Sequence, residues 1–292
     1  MTKHIAIIGL GLIGSSLGLA FKQNTSGDVR IVGYSRTTRT ADTAMKIGAV
    51  DCVANTLSSA IEQASVVIIC TPVLATEAIL KEIGAVVLPG TIVTDTASTK
   101  AKVMQWAEIH LPKTVEFIGG HPMAGKEQSG PEVAEPTLFR RCTYCLCTSQ
   151  WTSSKAIDCM IEFVKTIGAN PMLIDIDEHD NFVAAISHLP LVISTSLISV
   201  TTGNKSWDKI GKLAAGGYRD VGRLASQNPE MNRDICLSNE KHIASWIDQF
   251  IAELCRLREL IVTNNYPDLE KSFTLSNQAR ARWLEDYGKR NQ

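Results

Sequence analysis

At 292 residues the chain is long enough for two domains, and 45% hydrophobic with 20% charged residues is ordinary globular usage. A net charge of −1 gives no electrostatic footprint for nucleic acid or an anionic membrane, which leaves a small molecule as the expected partner.

The chain opens on His4-Ile5-Ala6-Ile7-Ile8, a β-branched apolar run that breaks into Gly9-Leu10-Gly11-Leu12-Ile13-Gly14. An apolar-periodic segment over 15–21 follows, and a second apolar run, Val29–Tyr34, comes about 20 residues after the glycines. Strand, Gly-x-Gly-x-x-Gly, helix and strand in this order make the fingerprint of a dinucleotide-binding βαβ unit. Gly9 is expected to permit the tight turn, Gly11 to admit a pyrophosphate, and Gly14 to let the helix pack on its strand. Gly9, Gly11, Leu12, Ile13 and Gly14 are therefore candidate cofactor residues, with the phosphates on free N–H groups at the positive helix end. Residues 4–20 superficially resemble a secretory signal. The glycines, however, fall in fingerprint order and no small-residue cleavage site precedes the next strand, so a cytoplasmic chain is expected.

An NAD site usually ends its second strand on Asp or Glu, to accept from the ribose 2′-hydroxyl. Here the sequence is Gly33-Tyr34-Ser35-Arg36-Thr37-Thr38-Arg39, with hydroxyls and two guanidiniums but no carboxylate. Ser35, Arg36, Thr37 and Arg39 suit a 2′-phosphate, so NADP is expected, with NAD less favoured. The alternative is a solvated basic turn.

Segments 40–47, 50–53, 57–63 and 65–70 read as helix, strand, helix and strand. The run 65–70 is continuously apolar, as expected of a parallel strand covered on both faces. It ends at Thr71-Pro72-Val73, which places Thr71 and Pro72 at the cofactor crevice. Helix 74–84, strand 91–94, helix 99–110 and strand 115–118 continue a doubly wound α/β sheet. Ser98, in Thr94-Asp95-Thr96-Ala97-Ser98-Thr99-Lys100, is either a helix cap or part of a site. His121, in Gly119-Gly120-His121-Pro122-Met123-Ala124-Gly125-Lys126-Glu127, reads as a loop histidine at the cofactor edge, either a proton-transfer group or a buried structural one.

Arg141-Cys142-Thr143-Tyr144-Cys145-Leu146-Cys147 reads as a strand. Its cysteines point to both faces, which does not suit one tetrahedral metal, and the eight cysteines of a cytosolic chain are expected to be reduced. Helix 152–167 and strand 171–174 close a sheet domain, 1–176, and helical patterning takes over in 177–292. The segment 178–201 reads as one helix kinked at Pro190, with His188 on the exposed bend. Its His, Pro, Ser and Thr content makes it a poor membrane span. Short helix 207–214, a glycine-rich basic stretch over 215–223, one long helix over 228–264 and a last segment over 267–288 complete the chain.

The fingerprint, Cys70-Thr71-Pro72, Asp95-x-x-Ser98-x-Lys100, Gly120-His121-Pro122-Met123-Ala124-Gly125, His179-Asp180, Ile186-Ser187-His188-Leu189-Pro190 and Gly217-Tyr218-Arg219-Asp220 with Arg223 give the chain a family resemblance. It resembles the prephenate/arogenate dehydrogenases of tyrosine biosynthesis over essentially its whole length, and is most similar to the NADP-using arogenate dehydrogenases of the cyanobacterial type. The resemblance implies a Rossmann sheet domain followed by an all-helical dimerisation domain, and so a homodimer. It implies an oxidative decarboxylation in which a cyclohexadienol loses hydride from C4 and its ring carboxylate as CO2.

By the same resemblance His121 takes the 4-hydroxyl proton, with an imidazole near its free pKa of ~6.5 suited to neutral pH. Ser98 would bond the same hydroxyl and hold His121 in the useful tautomer. Arg223 would pair with a substrate carboxylate, His188 would hold the substrate's polar end, and Gly216 lies where the second subunit reaches into the site. Many prephenate-specific members carry tryptophan where this chain has Asn232, which favours a more polar substrate. Glu127 is a candidate counter-charge for arogenate's ammonium. Two other readings remain: a dehydrogenase of a modified prephenate analogue, and a non-catalytic NADP-binding sensor.

Overall fold

The computed structural model describes residues 3–25, 27, 29–126 and 128–288. In chain order the elements are β1 (Lys3–Ile8), α1 (Leu12–Asn24), β2 (Val29–Tyr34), α2 (Thr38–Lys46), β3 (Cys52–Val53), α3 (Leu57–Ile61), β4 (Val66–Ile69) and α4 (Ala75–Gly84). Next come β5 (Ile92–Asp95), α5 (Ala101–His110), β6 (Glu116–Pro122), β7 (Thr143–Cys147), α6 (Ser154–Thr166) and β8 (Asn170–Leu173). The helices α7 (Ile176–Val183), α8 (Leu189–Thr202), α9 (Trp207–Ile210), α10 (Gly216–Gly222), α11 (Pro229–Ser238), α12 (Glu240–Val262) and α13 (Tyr266–Tyr287) follow. Two compact units result, Met1–Asn239 and Glu240–Gln292.

The first unit holds an eight-stranded sheet in the order β3-β2-β1-β4-β5-β6-β7-β8. Every neighbouring pair is parallel except β6 with β7. The winding direction reverses between β1 and β4, so the crevice beyond their carboxyl ends is the topological switch point where such sheets bind ligands.

The pleat explains the apolar runs. In β1, Ile5 and Ile7 face a core with Leu17, Phe21, Phe163 and Val164, while Ala6 and Ile8 face a second core with Leu57, Ile61, Leu80 and Ile83. β4 divides likewise, Val66 and Ile68 on one side, Val67 and Ile69 on the other. Each such aliphatic side chain, taken fully from water, contributes about 1.5–3 kcal/mol. That burial holds the strand ends in fixed positions.

Five expectations need correction. Strand β6 runs on to Pro122, so His121 sits in a strand opposite Cys145 of β7 and not in a loop. Helix α5 begins at Ala101, with no side chain of its own capping it. The helix expected over 178–201 is α7, a π turn at Ala184–His188, and α8. Pro190 has no N–H to give, and the wider turn before it accommodates that loss. His188, expected on an exposed bend, is instead 1% exposed. The long helix expected over 228–264 breaks at Asn239, whose side-chain amide donates to the Asp180 carbonyl at 2.7 Å.

By length and composition, Ile176–Thr202 could cross a membrane. Here it is held within the first unit by polar contacts: Asp180 accepts from the start of α5, and Ser194 Oγ accepts the N–H of Ala225 at 2.9 Å. In the second unit α12 and α13 pack on each other, yet leave Ile251, Leu254, Ile261, Phe273, Leu275 and Trp283 exposed.

Candidate active site

The fingerprint geometry follows from three glycines with different surroundings. Gly9 has φ +99° and its N–H donates to the carbonyl of Tyr34 at 2.8 Å, which joins the turn to the end of β2. A Cβ on Gly14 would lie 2.0 Å from the Gly9 carbonyl oxygen, so only glycine lets α1 start this close to β1. A Cβ on Gly11, by contrast, would meet nothing within 4 Å. That open space stands before the N-terminus of α1, where no side chain caps the backbone N–H groups. Such a cradle fits a pyrophosphate.

Gly11, Leu12 and Ile13 form one wall of a cavity of about 570 Å³. Thr71 and Pro72 continue that wall, and the buried Oγ1 of Thr71 has no hydrogen-bond partner among the described residues, as a cofactor contact would require. Ser98, His121, Ser187 and Arg223 lie on the same cavity, together with Glu230, Met231 and Ile235. Residues from β6, the π turn, the segment after α10 and α11 therefore meet the nucleotide fingerprint in one hollow.

Buried polar groups set the position of His121. Asp95, at the end of β5, accepts from the N–H groups of Gly120 (3.0 Å) and Ala97 (2.9 Å) and pairs with the buried ammonium of Lys100. Lys100 Nζ also donates to the Gly120 carbonyl at 2.6 Å, which clamps β6 to β5 just before the histidine. The Nδ1 of His121 lies 2.9 Å from Nε2 of His179. It is thus His179, and not Ser98 as expected, that holds the ring. His179 Nδ1 in turn lies 2.8 Å from Asp180 Oδ1.

The same Asp180 carboxylate takes the N–H groups of Lys100 (2.7 Å) and Ala101 (2.9 Å). It performs the capping that Ser98 was a candidate for. Burial pushes the Asp180 carboxyl up, but the His179 bond and those two amides outweigh it and hold the group below 3.8. His121 departs from the free-imidazole value, because burial and the neighbouring His179, Lys100 and His188 disfavour a charge there and push it well below 6.5. The surroundings thus favour the neutral imidazole.

Other expected residues are not brought into this hollow. His188 does not line it, although its neighbour Ser187 does. Its Nδ1 lies 3.3 Å from the Asn239 amide, its Nε2 has no partner among the described residues, and burial pushes it down to about 4. Gly216 lies outside the hollow, exposed at the start of α10. Ser35, Arg36, Thr37 and Arg39 also lie outside it, beyond β2. Thr37 bonds Thr40 at 2.7 Å, and Arg39 lies 3.9 Å from Glu132. Asn232 is half-buried and set back from the wall, its Oδ1 without a partner among the described residues. Glu127 lies outside the described residues. Cys142, Cys145 and Cys147 are buried free thiols, and burial raises Cys142 to about 11 and Cys147 to about 12.

Comparison with known proteins adds to this geometry. The profile of the prephenate dehydrogenase nucleotide-binding domain matches residues 17–173, and that of the prephenate dehydrogenase dimerization domain matches 175–275. The prephenate dehydrogenase of Bacillus subtilis is 35% identical over 96% of this chain and 76% of its own. The chain belongs to the prephenate/arogenate dehydrogenase family. The cyclohexadienyl dehydrogenase of Zymomonas mobilis is 33% identical over 98% of this chain and 97% of its own. Among solved structures, Synechocystis arogenate dehydrogenase superposes with TM-score 0.82 at 29% identity, covering 96% of this chain and 99% of its own. The A. aeolicus prephenate dehydrogenase structure with hydroxyphenyl propionate and NAD+ superposes with TM-score 0.91 at 25% identity, covering 97% and 98%. As a family member this chain is a nicotinamide-dependent oxidoreductase whose reaction is an oxidative decarboxylation, on a Rossmann sheet followed by helices.

His179 and Asp180 are the residues that sequence reasoning left without a role. They appeared there as an adjacent His-Asp pair, and that adjacency was the available signal. Nothing local tied it to residue 121.

Proposed function

We propose that the chain is an NADP-dependent arogenate dehydrogenase with some capacity for prephenate. The observation that carries this reading is one cavity bordered by the uncapped α1 cradle at Gly11, the imidazole of His121 and the guanidinium of Arg223. A bound nicotinamide supplies the hydride acceptor. His121, with Nδ1 engaged by His179, offers Nε2 to the substrate's 4-hydroxyl proton, a service worth about 10²–10⁴-fold in rate. Arg223 pairs with a substrate carboxylate, at about 1.5–3 kcal/mol for a charged hydrogen bond, and Ser98 bonds the hydroxyl from the same wall. Gly11, Leu12, Ile13, Thr71 and Pro72 hold the cofactor, with Gly9 and Gly14 shaping its cradle.

The preference for NADP rests on Arg36, exposed beside the fingerprint turn and without an ion-pair partner among the described residues. Arg39 is less suited, because Glu132 already faces it. Arogenate is favoured by Glu230, an acidic side chain on the cavity wall that suits an ammonium and is shared with Arg233 at 3.8 Å, with Glu127 a second candidate. The domain division is proposed at 176/177, consistent with the two family profiles meeting between 173 and 175. A homodimer is supported by the dimerization-domain match and the apolar side chains left exposed on α12 and α13, and in it Gly216 would approach the partner's site. Free, buried cysteines suit a reducing cytoplasm.

Steady-state assay of arogenate and prephenate, each with NADP and NAD, tests the proposal. The highest kcat/KM is expected for arogenate with NADP. A preference for prephenate with NAD would contradict both halves.

A further inference from the structure

The contacts of His179 fix more than the position of its neighbour. Asp180 is held ionised, and a carboxylate can only accept hydrogen bonds, so the proton of His179 must sit on Nδ1, 2.8 Å from Asp180 Oδ1. With its single ring proton on Nδ1, His179 presents a lone pair at Nε2. His121 Nδ1, 2.9 Å away, can meet that lone pair only as a donor. With its one proton on Nδ1, neutral His121 keeps a lone pair on Nε2, the nitrogen left for the cavity. Each tautomer follows from the one before it, starting at a carboxylate seated on the N-terminus of α5, where the helix dipole also favours its charge.

We propose that Asp180 and His179 are positioning residues that fix His121 as the Nδ1–H tautomer and so aim its basic nitrogen at the substrate hydroxyl. The inference rests on His121 being the base. The substrate O–H bond breaks, its proton forms a bond to His121 Nε2, and the imidazolium's Nδ1–H already points at His179, so no ring turns. The hydride leaves C4 for the nicotinamide, the bond to the ring carboxylate breaks to release CO2, and the phenolate oxygen takes the proton back from Nε2. No net proton is produced. The principle is that of the aspartate in a serine protease, which orients its histidine and is not itself protonated. Here a second imidazole stands between carboxylate and base.

The test begins with wild-type protein labelled with 15N-histidine, without ligands, at pH 7. Long-range 1H–15N correlations read which ring nitrogen is protonated, with His179→Leu and His121→Asn used for assignment. Both His121 and His179 are expected as Nδ1–H forms. An Nε2–H form at His121 would overturn the inference, and one at His179 would remove Asp180 from it.

The second arm compares His179→Gln with His179→Leu. Asp180, as an acceptor, claims the glutamine NH2 and leaves its oxygen for His121 Nδ1–H, so Gln is expected to retain a kcat about 10-fold above that of Leu, the worth of one hydrogen bond. KM for substrate and cofactor is expected to stay near wild type in both. Equal kcat in the two variants, or a loss seen in KM alone, contradicts a positioning role. Failure of the underlying reading looks different: His121→Asn would then turn over at the wild-type rate, whatever tautomers the spectra report.

Discussion

The cluster at the ends of β5 and β6 and the turn at the end of β2 are built in opposite ways. Lys100, Asp95, His179 and Asp180 are at most 1% exposed, and their partners come from four separate elements. The Arg39 side chain is 90% exposed, and Arg36 is exposed beside it. Buried charges forfeit hydration and must be fully paired, so any change in the cluster leaves a partner stranded. Exposed guanidiniums lose little when altered. On the proposed reading, chemistry sits in the part of the site that tolerates little change, and nucleotide choice in the part that can drift.

The largest effect that could break this contrast is at the buried ion pair. Lys100→Met leaves Asp95 without a counter-charge, and breaking such a pair costs about 3–5 kcal/mol. A fall of that size in unfolding free energy by urea titration is expected, and a fall under about 1 kcal/mol would show that water reaches the cluster.

Next comes the pH dependence of stability. His188 has a folded-state value near 4 against 6.5 for the free group, so the unfolded chain binds the proton first. Its contribution is complete above 6.5 and is lost as the pH falls toward 4, up to about 3 kcal/mol at ~1.36 kcal/mol per pH unit. Thermal melts at pH 4.5 and 7.5 should therefore differ less in His188→Gln than in wild type. An unchanged difference would mean that His188 is hydrated in the native protein.

The exposed turn gives the smaller effects. Arg36→Ala is expected to weaken NADP by about 10-fold or more, the worth of a charged hydrogen bond, and to leave NAD nearly unaffected. Arg39→Ala should change either affinity by less than about 1 kcal/mol, because its guanidinium already faces Glu132 across 3.9 Å. Equal losses for both cofactors at Arg36 would place the 2′-phosphate elsewhere.

What could be read from the sequence follows the same division. The β1–α1–β2 unit and its glycines are local patterns, from which the doubly wound sheet, the turn at Gly9 and the close packing at Gly14 could be read directly. His121 looked like a loop residue because Gly119 and Gly120 read as breakers. In the structure these glycines permit a close approach: a Cβ on Gly120 would lie 2.4 Å from the Asp95 carbonyl oxygen. The π turn before Pro190 and the break at Asn239 depend on side chains that find partners elsewhere in the fold. The contacts of His121 with His179 and of Asp180 with Lys100 span 58 and 80 residues, beyond the reach of any periodicity. Ser98 as a cap was a sound local reading, defeated because a carboxylate from α7 arrived first.

The most direct test of the account is His121→Asn, with cofactor affinity and turnover measured on the same preparation. Cofactor binding should be unchanged, because the cradle at Gly9, Gly11 and Gly14 is untouched, while kcat should fall at least ~100-fold for the lost base. A variant that turns over at the wild-type rate would contradict the assignment of His121 as the group that takes the proton.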